Sequence, residues 1–236
     1  MCGRYSLTSP LEELCEVFGF PERPNLAPHA NIAPGQDVAA IRLGEDDSEP
    51  RRFVWLRWGL IPSWAKDPGM GGRMINARAE TVAEKPTFRA AFRARRCLIL
   101  ADGFYEWRAE GGRKQPYRIA RPDGRPFAFA GLWERWQDPA GGEKVESCSI
   151  ITTEANALLR GIHPRMPVIL GEADFDSWLA PGTAREAARA LLKPCAPEAL
   201  VCYRVSARVN SPANDDLTLI EPLEGEVEPA GQPRLL

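Results

Sequence analysis

Apolar and polar positions change period several times along the chain, and each change marks an element. Leu11, Leu14, Cys15 and Phe18 recur at helical spacing between Pro10 and Gly19. That spacing predicts a short helix opened by a capping box of Ser9 and Glu12 and stopped by the glycine. Residues 37–43 and 52–58 read as strands, bounded by turns at Pro34-Gly35 and 45–50. The segment 65–74 is glycine-rich and irregular, and a helix is predicted over 86–95. Residues 97–101, 104–107, 116–119, 127–132 and 147–152 then read as an antiparallel sheet with hairpin connections such as Asp123-Gly124. Two more helices are predicted at 173–179 and 184–192, the second with a capping box at Thr183 and Glu186. A last strand covers 201–205.

Helices that do not alternate with strands predict an α+β fold, a single domain over 1–222 with a curved, mostly antiparallel and barrel-like sheet flanked by short helices. A doubly wound nucleotide-binding fold is excluded by this order and by the lack of a G-x-G-x-x-G or P-loop. From about Pro222 the chain turns to Pro, Gly and Glu with little to bury, which predicts a disordered tail over 223–236. With 236 residues, 44% of them hydrophobic, the chain is long enough for a substantial core. No apolar run approaches the roughly 20 residues that span a bilayer, and no secretory signal is visible. A soluble, cytoplasmic protein without membrane contact is expected, a monomer by default.

Composition removes some chemistry and leaves some open. Six scattered cysteines without a C-x-x-C pair, and two histidines, His29 and His163, predict neither a metal site nor a disulfide framework, and no cofactor. The formal charge of −2 gives no global basic footprint, yet a local groove lined by arginines can hold a phosphate backbone. Only five of the 30 cationic residues are lysines, and arginine's planar fork suits bidentate phosphate contacts.

The residue that stands out chemically is Cys2. Removal of Met1 would leave a free α-amine and a thiol on adjacent carbons. The amine titrates near about 7.7–8.0 and the thiol near about 8.5 in reference peptides, so both have reactive fractions at neutrality. An aldehyde can form an imine with the amine, and the thiol can then close a five-membered thiazolidine. Such ring closures reach effective molarities on the order of 10⁵–10⁸ M.

Several segments occur in a recognisable order: Met1-Cys2-Gly3-Arg4-Tyr5, Asn31-Ile32-Ala33-Pro34-Gly35, Trp58-Gly59-Leu60-Ile61-Pro62-Ser63-Trp64-Ala65, Ile75-Asn76-Ala77-Arg78-Ala79-Glu80-Thr81, Asp102-Gly103-Phe104-Tyr105-Glu106-Trp107, and Ile162-His163-Pro164-Arg165-Met166-Pro167. Over about residues 2–221 the chain resembles the SOS-response-associated peptidase (SRAP) family. The resemblance implies a nucleoid-associated protein that shields abasic sites in single-stranded DNA through a covalent thiazolidine crosslink, an activity with lyase-like Schiff base chemistry. It further implies that Cys2 is the nucleophile, that Asn76 and Glu106 flank its amine, and that His163 meets the ring-opened sugar. Arg78, Arg165 and Arg4 match positions that hold DNA phosphates, while Trp64 and Pro34 fall in segments of the DNA-binding surface. His29 lies outside these motifs.

The chemistry suits these side chains. Opening the closed sugar needs a proton donor and acceptor, which His163 can supply near neutrality, and Glu106 can relay the amine's proton. Two alternatives stand beside this reading: a thiol peptidase acting on its own N-terminal leader, and a non-covalent reader of modified or single-stranded DNA that stacks bases on Trp64 or Trp107.

Overall fold

The computed structural model describes residues 2–44 and 51–223. Its elements are β1 (Tyr5–Leu7), α1 (Leu11–Phe18), β2 (His29–Ile32), β3 (Asp37–Leu43), β4 (Arg51–Trp58), β5 (Asn76–Arg78), α2 (Arg89–Ala94), β6 (Arg96–Ala101), β7 (Gly103–Glu110), β8 (Arg113–Ala120), β9 (Phe127–Gln137), β10 (Lys144–Glu154), β11 (Arg165–Pro167), β12 (Ile169–Leu170), α3 (Phe175–Leu179), α4 (Arg185–Ala190) and β13 (Val201–Arg204). Short 3-10 turns fill several connections, one of them over Pro68–Arg73. The fold is α+β as expected, with short helices against barrel-like, mostly antiparallel sheet.

Two sheets share the strands. One runs β13-β8-β7-β1-β2; the other runs β11-β10-β4-β3-β6-β9-β12, with β5 also paired to β10 and β9 paired to β10. Among the described residues only β4 and β5 lie parallel to their partner β10. The principal core lies between the sheets and under α1–α3, with Tyr5, Phe18, Trp58, Phe92, Phe129, Phe175 and Trp178 among its fully buried side chains. A second cluster of Ala30, Tyr105, Val205, Val209 and Leu219 seats the C-terminal segment on the outer face of the five-stranded sheet.

Several predicted details are corrected. The Asp123-Gly124 connection is not a hairpin: it carries the chain from β8 in one sheet to β9 in the other. The tight hairpin is β7–β8, where Glu110 pairs with Arg113 across Gly111 and Gly112. Both glycines have positive φ, at 53° and 80°, as a type I′ turn requires. Neither capping box forms. Ser9 donates its backbone N–H to Asp102 and its hydroxyl leans on the same carboxylate, so Pro10 takes the cap position of α1. Thr183 donates to the Ser177 carbonyl instead, and α4 begins after Ala184. Gly19 does end α1 in the left-handed region, at φ 67°. Helix α2 occupies only the last part of 86–95. The turn expected at 45–50 and all of the expected tail beyond Leu223 fall outside the described residues.

Buried Asp102 organises the entry of the chain. It accepts from the Ser6 hydroxyl at 2.6 Å, from the Thr8 backbone and hydroxyl, and from Arg118 at 3.1 Å. A Cβ on Gly103 would sit 2.5 Å from the Arg118 guanidinium carbon, so any larger residue there would have to push the guanidinium out of this network. This network pins β1 against β7 and holds the residues before Tyr5 at the junction of the two sheets.

Candidate active site

Strand alternation decides which side chains meet at that junction. On β7, Tyr105 and Trp107 face the outer cluster, where the Tyr105 hydroxyl donates to Ala30 O at 2.7 Å. Phe104 and Glu106 therefore point the other way, toward the main core and Cys2. The backbone N–H of Tyr105 donates to Arg4 O at 3.0 Å, which brings Glu106 beside the start of the chain. On β5, Asn76 and Arg78 share one face while Ala77 is buried on the other. The Asn76 amide Nδ2 donates to the Cys2 carbonyl at 2.8 Å. Its Oδ1 is buried without a protein partner.

Strand β10 carries the other side of the site. Thr152 pairs with Arg78 of β5 on one flank and with Pro167 of β11 on the other. The turn into β11 supplies His163, whose Nδ1 lies 3.0 Å from the backbone N and 3.1 Å from the carbonyl O of Arg165.

Burial sets the electrostatics. Cys2 is 0% exposed. Desolvation pushes its thiol well above the ordinary cysteine range; the charge of Glu106 adds to this, and a weak bond to Arg4 O offsets part of it. Glu106 is 4% exposed, and desolvation raises its carboxyl above the usual range while the nearby His163 pulls it down. Cys2, Asn76, Glu106 and His163 thus form one constellation: Asn76 is bonded to Cys2, and Glu106 is within electrostatic reach of both Cys2 and His163. It offers a thiol, a proton carrier of raised affinity and an imidazole anchored through Nδ1 to the Arg165 backbone.

The residues expected to contact DNA are spread more widely. Arg78 is exposed at the end of β5. Arg165 forms a two-pronged ion pair with Glu80, Nη2 to Oε2 at 3.0 Å, and also donates to Thr152 O. Arg4 is directed away from Cys2, donating to Asn31 Oδ1 and Val209 O at 2.8 Å each. Pro34 is exposed on the β2–β3 turn, which is tied to Trp58 by the bond from Gly35 N to Trp58 O. Trp64 is 59% exposed on the loop that follows Trp58. His29 pairs with Asp215 at 2.7 Å. Sequence reasoning missed Glu80 and Thr152 as the groups that orient Arg165, although Glu80 lies in the same motif as Arg78. It also missed Asn31, whose amide clasps the C-terminal segment.

All six cysteines are free. Among the described residues no cluster of three or more His, Cys, Asp or Glu is placed to hold a metal, and no helix is long and apolar enough to cross a membrane.

The chain matches the family model for the SOS response associated peptidase (SRAP) over residues 1–212. It is 44% identical over 226 residues to the abasic site processing protein YoqW of Bacillus subtilis (strain 168), across 94% of this chain and 99% of that one. It is 36% identical over 203 residues to the abasic site processing protein HMCES of Gallus gallus, across 75% of this chain and 60% of that one. A crystal structure of a protein from Bacteroides thetaiotaomicron superposes with a TM-score of 0.83 at 30% identity, covering 94% of this chain and 99% of that one. On a family match spanning most of its length, and on relatives that share its extent, the chain belongs to the SOS response associated peptidase (SRAP) family.

Proposed function

We propose that this protein handles abasic sites in single-stranded DNA by capturing the open-chain aldehyde on Cys2, once Met1 has been removed, as a thiazolidine. The single observation that carries the reading is the arrangement of Cys2 at the sheet junction, with Asn76 fixed on its carbonyl and the buried Glu106 beside it. The naming of YoqW and HMCES as abasic site processing proteins supports the substrate.

The order of steps follows from the electrostatics. A thiol held protonated by burial is a poor first nucleophile, so the α-amine attacks C1 of the aldehyde. The carbinolamine loses water with a proton delivered from Glu106 or His163, giving the imine. The sulfur then adds to the same carbon, and its proton moves to the ring nitrogen. One C–N and one C–S bond form, one water leaves, and no redox change occurs. His163, anchored through Nδ1, leaves Nε2 to exchange a proton with the sugar during ring opening. Arg78 and Arg165 would hold the flanking phosphates, with Trp64 and Pro34 on the strand's path.

The test incubates the protein with a single-stranded oligonucleotide carrying one abasic site and reads a denaturing gel and intact mass. A one-to-one adduct lacking Met1, and lighter by one water than its parts, is expected. Without reductant neither Cys2→Ala nor Cys2→Ser should form an adduct that survives denaturation, and in both the imine of the α-amine should be trapped by borohydride. An undiminished adduct with Cys2→Ala, or a bond mapped to another side chain, would refute the reading.

A further inference from the structure

Away from this site, the cleft between α2 and the start of α4 gathers cations with little to neutralise them. It encloses about 500 Å³ and is lined by Arg89 and Arg93 of α2, Arg96 and Arg185, with Pro181 and Thr183 on the wall. Arg96 is committed to the fold. It is 4% exposed, and it donates to the carbonyls of Phe92, Arg93, Trp178 and Ala180. Its charge is met by the C-terminal ends of two helices and by no carboxylate. Arg89 and Arg93 are different. Both are exposed, and neither side chain has a hydrogen bond or ion pair with any described residue. Arg185, and Arg189 one turn on, reach only Glu84, at 3.9 and 3.7 Å.

Such a cluster is costly. Arg89 and Arg93 are four residues apart on one helix and repel each other, and Arg96 adds a fixed positive charge below them. The chain has 32 acidic residues against 30 basic ones, so carboxylates are not scarce; they are kept out of this cleft. A pocket left this positive is built to concentrate an anion.

We propose that the cleft is a second anchor for the phosphate backbone of the single strand that the Cys2 site engages; this rests on the function proposed above. A continuous path joins the two places. From Arg78 at the end of β5, successive turns bond Thr81 N to Arg78 O, Lys85 N to Thr81 O and Arg89 N to Lys85 O. The exposed cations Arg78, Lys85, Arg89 and Arg93 therefore lie along one stretch of backbone, on which Glu80 is held by Arg165 and Glu84 by Arg185 and Arg189. Even fully extended, the segment from Arg78 to Arg89 would span less than about 40 Å, and in turns it spans far less. Arginine forks on a backbone hold it without reading sequence, as a protein that must accept any sequence around a lesion requires.

The test uses two labelled, undamaged single strands, one of about 15 nucleotides and one of about three, the latter too short to reach from Arg78 into the cleft. Binding to the full chain is followed by fluorescence anisotropy across a salt series. Arg89→Ala with Arg93→Ala is expected to weaken the long strand on the order of tenfold, and to flatten its log K against log salt slope by about 1.4, two contacts at about 0.7 each. The short strand should change by less than about twofold. Lysines at both positions should restore the slope, and Arg113→Ala with Lys114→Ala on the β7–β8 turn should move neither strand. Long-strand affinity and slope equal to wild type in the alanine pair would overturn the proposal. Adduct formation on a matched abasic strand is read in parallel: a wild type that binds through the cleft yet forms no adduct refutes the Cys2 chemistry and leaves the cleft standing.

Discussion

Glu106 pairs a catalytic expectation with a cost in stability, and the two can be separated by pH. Desolvation raises its carboxyl in the folded state above the unfolded reference of about 4.3. The native chain thus holds a proton over a range in which the unfolded chain has already lost it. Stability is greatest below the unfolded value, falls as pH rises toward the folded value, and is flat beyond it. Glu106→Gln removes the ionisation, so it should be more stable than wild type by about 1–3 kcal/mol at neutrality, with the gap closing below about pH 4. Urea unfolding across a pH series measures this, and a gap independent of pH would contradict it. The same variant should form adduct more slowly, on the order of 10²-fold. Little of this was legible locally. Cys2, Asn76, Glu106 and His163 stand far apart with no common period, and only the ordered motifs linked them. The burial of Cys2 and Glu106 follows from sheet packing that no local pattern encodes.

At the scale of elements, the loop from Gly59 to Met74 shows how an exposed aromatic is held still. Trp136 Nε1 donates to Ala65 O at 2.7 Å, Trp58 Nε1 to Ile75 O at 2.9 Å, and Leu60 N to Met74 O. Ile61, Ala65 and Trp136 form a small core beneath. Gly59 and Gly71 pass so closely that a Cβ on Gly71 would lie 2.5 Å from Gly59 O. Gly71→Ala must push backbone from backbone, so a loss of about 1–3 kcal/mol in thermal unfolding is expected, with weaker single-strand binding as Trp64 shifts. An unchanged melting temperature would show that the approach is not needed. This segment looked merely irregular in sequence because its order comes from partners far along the chain. The longer strands β3, β4, β6, β9 and β10 were legible because apolar runs of several residues outlast local ambiguity. Strands β1, β5 and β11, three residues each, are too short for any period, and they carry the start of the chain, Asn76, Arg78 and Arg165. The capping boxes misled because tertiary acceptors, Asp102 for Ser9 and Ser177 O for Thr183, outcompeted the helix ends.

The molecule as a whole is closed by its C-terminal segment. Asn31 Nδ2 donates to Val209 O, Ser211 O and Asn214 O, while its Oδ1 receives Arg4. Its backbone N–H donates to Asp215, which also binds His29. One asparagine on β2 thereby fastens the C-terminal segment to Arg4, two positions from Cys2. Asn31→Ala leaves three carbonyls and a guanidinium under-satisfied, and a destabilisation of about 3 kcal/mol is expected. Hydrogen exchange should rise first in 206–220; uniform protection there would refute the clasp. The same closure has a bearing on selectivity. Cys2, like Cys97 and Cys148, is wholly covered, whereas Cys15, Cys195 and Cys202 are partly open to water. Small electrophiles adrift in solution therefore meet those three sulfurs first, and concealment spares the one to which aldehyde capture is ascribed above.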